Sequence, residues 1–376
     1  MLKKKLVVVV SIVLWLAGFS YGSGLGKAYN VYEWTCATTA CALAILFLKG
    51  RKYRLISLSR LLLIVFILLV SLYHTAVFGS NLLGYYWLFL LPPCFKALFL
   101  EKQQMWTISI VFGILGLVVL IVATTTSVLK GWDNNSISVP CFFSFSVFAG
   151  SFFERKKKRH LILFSLYSLI FIGLLIKLIS RSSIFFSIIL ILSVLCVLPI
   201  KKIVQGRWLA FLLLTPLFLA ILVALIRNAS LVSVLETWSE KTFSKSFFNG
   251  RDSLWWLGFV EWTKHPVLGN GSFSGNWHNS AITLLVGSGL VGYILYLLFV
   301  GTILKQGIRY AEDPIMAGLV YAFLVIWMQQ SVELGLVGMQ GNVIPFIVLG
   351  LIVSYGNTIA ERGRSSGSDV HYNSSL

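Results

Sequence analysis

An all-α membrane protein with many spans is the fold class this sequence predicts, on three observations. Of its 376 residues, 57% are hydrophobic and only 12% are charged, and mean hydropathy is +0.87. That composition lies outside the soluble globular range. The apolar residues gather into about twelve runs of about 17–25 residues, each long enough to cross a bilayer. The basic residues fall between the runs, in alternate connections. This is the charge pattern of membrane topology rather than of nucleic-acid binding. The net charge of +18 is therefore assigned to topology, and no nucleic-acid partner is expected.

In chain order the runs are 6–22, 31–48, 57–78, 81–100, 105–126, 137–153, 160–178, 182–200, 208–226, 279–303, 314–335 and 340–357. The first follows Lys3-Lys4-Lys5 without an A-x-A-like cleavage pattern after it, so it reads as a retained anchor. Pro92-Pro93 predicts a kink or break in the fourth. Basic connections are the N-terminus, Lys49/Arg51/Lys52/Arg54, Lys102, Arg155 to Arg159, Lys201/Lys202/Arg207, Lys305/Arg309 and Arg362/Arg364. The intervening short connections hold little Lys or Arg, with Lys27 and Lys130 as exceptions. The positive-inside bias then puts both termini in the cytoplasm, as an even number of spans requires. Residues 1–363 read as one transmembrane domain, and the Ser-, Gly- and Asn-rich stretch 364–376 as a disordered cytoplasmic tail. Cys36, Cys41, Cys94, Cys141 and Cys196 all lie in apolar runs without metal-ligand spacing and read as small hydrophobes.

The same topology places one large connection, 227–277, between the ninth and tenth spans on the outer face. It defies the bias, because it carries Arg227, Lys241, Lys245, Arg251 and Lys264. Cations held against the insertion bias suggest an anion-binding role. Glu236, Glu240, Asp252 and Glu261 offer the plainer alternative of a self-neutralised, solvated loop helix.

Several residues stand out as candidates. Arg181, flanked by Ser180 and Ser182, lies at the outer end of a span, with Lys177 four residues earlier on the same helical face. Ionisable groups at membrane depth usually face a cavity or a partner, although Lys177 by itself reaches headgroups by snorkelling. Arg251 opens a segment of helical period, with Leu254, Trp255, Gly258 and Trp262 alternating with polar positions. This predicts an amphipathic helix at the interface, where Trp255, Trp256 and Trp262 fit the aromatic belt. The guanidinium fork of Arg251 suits a diphosphate. His265-Pro266 ends that helix, and Gly269 and Gly271 give a tight turn.

His278-Asn279 opens the next span. Nine residues separate the pair from Gly289, and Gly292 follows. Cationic neighbours favour a neutral imidazole, which is what a general base needs, and Asn279 orients either reactant. Gly287, Gly289 and Gly292 offer a slim face for the approach of another helix. Alone, His278 reads as a helix-start histidine bonded to its loop; beside Arg251 and the glycine face, it reads as functional. Gln329, Gln330 and Glu333 read first as interhelical hydrogen-bonding groups, with Glu333 also placed to pair with Arg181 or Arg251 or to help bind an acceptor. His74 and His160 read as structural or topological. No Walker motif, G-x-G-x-x-G, H-E-x-x-H or metal-type carboxylate cluster occurs, so no nucleotide, metal or other cofactor is expected.

These residues resemble the O-antigen ligase and O-antigen polymerase superfamily, bacterial inner-membrane glycosyltransferases that use undecaprenyl-diphosphate-linked sugars. Three groups carry the likeness: Ser180-Arg181; Arg251, Trp255 and His265-Pro266-Val267-Leu268-Gly269-Asn270-Gly271; and His278-Asn279 with Gly289 and Gly292. The last fits the ligase pattern of His, then Asn, Ser or Gln, nine residues, and G-x-x-G. By motif the resemblance covers 178–292, and by architecture the whole chain. Only six residues, Ser272 to Trp277, separate Gly271 from His278, a compact form common among the polymerases. The resemblance implies a metal-independent, inverting transfer at the periplasmic face of the inner membrane. His278, Arg251 and Arg181 would be catalytic. Asn279, Lys264, Trp255, Lys177 and Glu333 would bind substrate, and Gly269, Gly271, Gly289 and Gly292 would shape the site. The donor would be an undecaprenyl-diphosphate-linked glycan, and the acceptor lipid A–core or a second lipid-linked glycan. A twelve-span transporter would favour repeats between halves and helices interrupted near the midplane; no clear repeat occurs in the sequence.

Overall fold

Long apolar runs satisfy their backbone internally as helices, the arrangement a lipid environment demands. The computed structural model describes residues 4–22, 65, 69–70, 72–78, 87–96, 98–127, 129, 134–154, 158–196, 207–243, 246–271, 273, 275–333 and 343–365. Among these every regular element is helical. The helices are α1 (Lys4–Gly22), α2 (Leu91–Phe95), α3 (Lys102–Thr125), α4 (Asn134–Ser151), α5 (Lys158–Lys177), α6 (Arg181–Cys196), α7 (Arg207–Ile226), α8 (Ser230–Phe243), α9 (Arg251–Lys264), α10 (Ser280–Arg309), α11 (Pro314–Gln329) and α12 (Ile344–Ser365). Five of them, α3, α5, α7, α10 and α12, contain stretches long and apolar enough to cross a membrane, the make-up of a multi-pass membrane protein. The expected span 31–48, parts of 57–78 and 81–100, and most of the expected C-terminal tail lie outside the described residues.

Within 81–100 the expected break is present. A 3-10 turn (Trp87–Leu90) runs into the five-residue α2 at Pro92-Pro93, and Phe99 follows with φ of 44°. Proline removes a donor and crowds the preceding turn, so a continuous span does not form there.

The core is built around α4 and α11. Residues Ile137 to Ser151 of α4 and nearly all of α11 are buried. The two helices cross at Gly150 and Gly318, where a Cβ on Gly150 would sit 2.7 Å from the Gly318 carbonyl oxygen. Small residues at the crossing permit that approach. α3 and α6 flank α4, and α1 is pinned to it by Trp15 Nε1 donating to Ser144 Oγ at 2.8 Å. α5 lies outermost and exposes Leu163, Leu166, Leu169 and Ile176, an apolar face suited to lipid.

Polar residues gather at the two ends of the bundle. At one end Lys102 pairs with Glu154, and Trp106 Nε1 donates to Glu154 Oε2 at 3.2 Å. Asp313 caps α11 through the amides of Ile315 and Met316, and its other oxygen accepts from the Tyr355 hydroxyl at 3.0 Å. Pro314 follows that cap at a first-turn position where its missing N–H costs nothing. The starts of α6, α9 and α10 share the opposite end.

Two local expectations change. Lys177 and Arg181 do not share a helical face: α5 ends at Lys177, Ile179 turns left-handed at φ 55°, and Arg181 begins α6. Among the described residues no other helix packs on the glycine face of α10. Instead α10 is interrupted at Gly289 (φ 64°, ψ −170°), and segment 266–271 docks on the break. Asn270 and Gly271 donate to the carbonyls of Val286 and Gly287 at 2.9 and 3.0 Å. Leu290 and Val291 donate to the carbonyls of Pro266 and Val267 at 2.9 and 3.1 Å. The loop thus takes up backbone groups that the broken helix releases, as buried backbone requires.

Candidate functional site

Three candidate residues singled out by sequence are each placed by a helix start next to a left-handed turn. Ile179 (φ 55°) precedes Arg181, the first residue of α6; Asn249 (φ 56°) and Gly250 (φ 76°) precede Arg251, the first residue of α9. His278 itself has φ 47° and is followed by Asn279, the N-cap of α10. Non-glycine residues rarely adopt this region, and they hold it where surrounding contacts over-determine the backbone.

Asn279 supplies those contacts. It is fully buried, and its Oδ1 accepts from the amides of Ala281 and Ile282 at 2.9 and 3.1 Å. Its Nδ2 donates to the carbonyls of Pro216 in α7 and Ser331 after α11 at 3.0 and 2.9 Å. The side chain has no capacity left for a substrate, so the expected substrate-orienting role is replaced by a clamp that joins three helices. Asn279→Ala is expected to lower stability by about 2 kcal/mol or more, combining a lost N-cap with lost buried hydrogen bonds. A thermal melt in detergent checks this: an unchanged midpoint would refute the clamp.

Glu333 is the centre of the cluster. It follows α11 and is 4% exposed. Arg251 Nη2 donates to its Oε1 at 2.8 Å, and Ser182 Oγ donates to the same oxygen at 3.1 Å. His278 Nδ1 stands 3.4 Å from its Oε2. A carboxylate accepts only, so Nδ1 is the donor there, and in the neutral imidazole Nε2 carries the lone pair. Among the described residues the charged group that His278 contacts is therefore a carboxylate rather than the cation expected from sequence. Arg251 has spent one donor on Glu333, and its Nε is buried with no partner among the described residues. Arg181 is exposed, and its Nη1 lies 3.5 Å from the Ser246 carbonyl.

The turn that leads into Arg251 is fixed by Glu236 of α8, whose two oxygens accept from the amides of Phe247 and Phe248 at 2.6 and 3.0 Å. Burial alone would raise this carboxyl's pKa. The hydrogen bonds from Ser246, Phe248 and Phe247 and the charge of Arg181 outweigh it and hold the group below the usual carboxylate range. α9 itself is seated by Trp255, which is 1% exposed, donates from Nε1 to the Trp277 carbonyl at 2.8 Å and packs with Ile282 and Val286. Trp255 was expected to meet substrate at the membrane belt; the fold uses it as the core between α9 and α10.

Lys264 is not drawn into the cluster. It lies 13 residues along α9 from Arg251, about 20 Å at the helical rise, and pairs with Glu261 at 2.5 Å. Glu261's hydrogen bond with Lys264 lowers its pKa, and Asn270 Nδ2 adds a bond at 3.3 Å. Lys177 is exposed at the end of α5, consistent with a headgroup-reaching side chain. Gly269 and Gly271 take φ of 74° and 72° in the segment that docks on α10, the tight turn expected. His74 bonds to the Leu268 carbonyl and so braces that segment. Gln329 Nε2 donates to Ser183 Oγ at 3.2 Å, and Ser280 Oγ donates to Gln330 Oε1 at 3.0 Å, the interhelical bonds expected of them.

Sequence reasoning missed Ser182 as a partner and underrated Glu333. The available signal was a lone carboxylate in an apolar stretch, which is costly unless paired. Chemically, the cluster presents arginines at two helix N-termini, where the helix dipoles also favour an anion. Beside them stands one imidazole whose free nitrogen can take a proton. The chain matches no family model and no curated protein.

Proposed function

We propose that this chain is a glycosyltransferase of the inner membrane of a bacterium. It would move an oligo- or polysaccharide from undecaprenyl diphosphate to an acceptor hydroxyl, with lipid A–core as the acceptor, as an O-antigen ligase does. The reading includes twelve spans, cytoplasmic termini and a site facing the periplasm. One observation carries it: Arg251 from the large loop, His278 at the start of α10 and Ser182 of α6 meet on one buried carboxylate. A cation cluster with a proton acceptor at a bundle end suits a lipid-borne diphosphate donor.

In this reading the acceptor oxygen forms a bond to the anomeric carbon as the bond from that carbon to the diphosphate oxygen breaks. The electron pair leaves with the diphosphate, and the acceptor's proton passes to His278 Nε2. Arg181 and the unspent donors of Arg251 stabilise the charge gathering on the leaving diphosphate. Each well-placed donor of this kind contributes about 3 kcal/mol. Attack from the opposite face inverts the anomeric centre.

The compact link from Gly271 to His278 supports a second reading, a polysaccharide polymerase with the same donor chemistry and a second lipid-linked repeat as acceptor. A deletion strain separates the two. Uncapped lipid A–core with long chains accumulating on the lipid carrier is the result expected of a ligase. Core capped with a single repeat would identify a polymerase. An unchanged surface glycan with altered uptake of a solute would overturn both in favour of a transporter.

A further inference from the structure

Glu333 is tied into the site more tightly than an ion-pair partner needs to be. Its backbone N–H donates to the Gln329 carbonyl at 3.1 Å, and the neighbouring carbonyls of Gln330 and Ser331 accept from Ser280 N at 3.0 Å and from Asn279 Nδ2 at 2.9 Å. The residues that hold Glu333 are thus the ones that launch His278. The carboxylate and the imidazole stand on one hydrogen-bonded junction. The two oxygens divide their work: Oε1 takes Arg251 and Ser182, and Oε2 faces His278 Nδ1.

A carboxylate buried to this degree is costly unless it is paired and hydrogen-bonded. Pairing with Arg251 alone would meet that need with the carboxylate turned anywhere. Its second oxygen instead faces an imidazole whose backbone is held at φ 47°, a conformation that costs energy and persists only where packing imposes it.

We propose that Glu333 is the positioning residue of the site. It accepts Nδ1–H of His278, so it fixes the tautomer that leaves Nε2 free and turns Nε2 toward the acceptor hydroxyl. Through its other oxygen it holds Arg251, so proton acceptor and cation keep a set separation. When the acceptor proton arrives on Nε2, the adjacent carboxylate stabilises the imidazolium that forms, the service a buried carboxylate gives a histidine base in other enzymes. The proposal rests on the transfer reaction above, and it places Glu333 beside the reacting groups rather than against the substrate.

The test is a kinetic cycle on the purified full-length protein with lipid-linked donor. Glu333→Gln keeps the size but offers the imidazole an amide, and it is expected to lower kcat about 100-fold or more, with some loss of melting temperature because Arg251 then faces a neutral partner. Glu333→Asp should recover part of kcat, and it serves as the readout if the Gln variant folds poorly. In a His278→Ala background, Glu333→Gln should cost far less than it does alone, leaving only the share that acts through Arg251. Losses that multiply in the double variant would overturn the proposal. So would full kcat in Glu333→Gln while His278→Ala is inactive, an outcome that leaves the transfer reading standing. Full activity in both Arg251→Ala and His278→Ala would instead remove the transfer reading and this proposal with it.

Discussion

Arg251→Lys and His278→Ala are each expected to leave a protein that inserts and folds but transfers glycan about 100- to 1,000-fold more slowly, the usual cost of one charge-stabilising donor or one general base. Lysine keeps a positive charge near Glu333, so the buried carboxylate stays partnered. Lysine cannot, however, reproduce a planar fork that bonds Glu333 with one nitrogen while directing others at a diphosphate. Arg251→Ala would mix two effects, because removing one member of a buried pair strands the other. A transfer assay with purified protein, read beside a melting curve, separates rate from folding. Wild-type rates in the lysine and alanine variants would remove both residues from the mechanism.

Gly289→Ala is expected to be the most damaging small substitution in α10. At φ 64° and ψ −170° the backbone occupies a region that is essentially glycine-only. An added Cβ would press into the Val267 carbonyl and lie 2.5 Å from Gly269 N. Either the loop lifts from the break, which orphans the paired backbone groups of 266–271 and 286–291, or α10 straightens and displaces the loop. Each outcome costs about 3 kcal/mol or more. Gly173, in α5, is the control: nothing lies within 4 Å of a Cβ built there, and helix propensity favours alanine by up to about 1 kcal/mol. Melting temperatures in detergent decide the matter, and a Gly289→Ala protein as stable as Gly173→Ala would refute the account of the break.

Both predictions fall on residues that the sequence marked, yet for reasons it supplied only in part. The helix from Arg251 and its stop at His265-Pro266 were legible because helix starts, periods and proline stops are local signals. The glycines near 289 were also visible, but not their use: a helix face and a helix break look alike when only spacing is known. Asn279 was read as a reactant's partner because its clamp reaches Pro216 and Ser331, 63 and 52 residues away. Trp255 was read as a belt residue because a tryptophan that seats one helix on another has the same local pattern as one that faces lipid.

The sequence by itself determined the all-helical, lipid-compatible composition, the positions of most described helices, and the choice of Arg181, Arg251 and His278 as groups out of place in an apolar chain. Those properties follow from hydropathy and period, which are read within a few turns. Only the tertiary structure decided that Ser182, Arg251 and His278 meet on Glu333, across separations of 151, 82 and 55 residues, and that Lys264 does not join them. The reason is physical: a buried carboxylate must find donors wherever packing brings them. Which donors arrive is set by how α6, α9, α10 and α11 cross, a relation that no local pattern encodes.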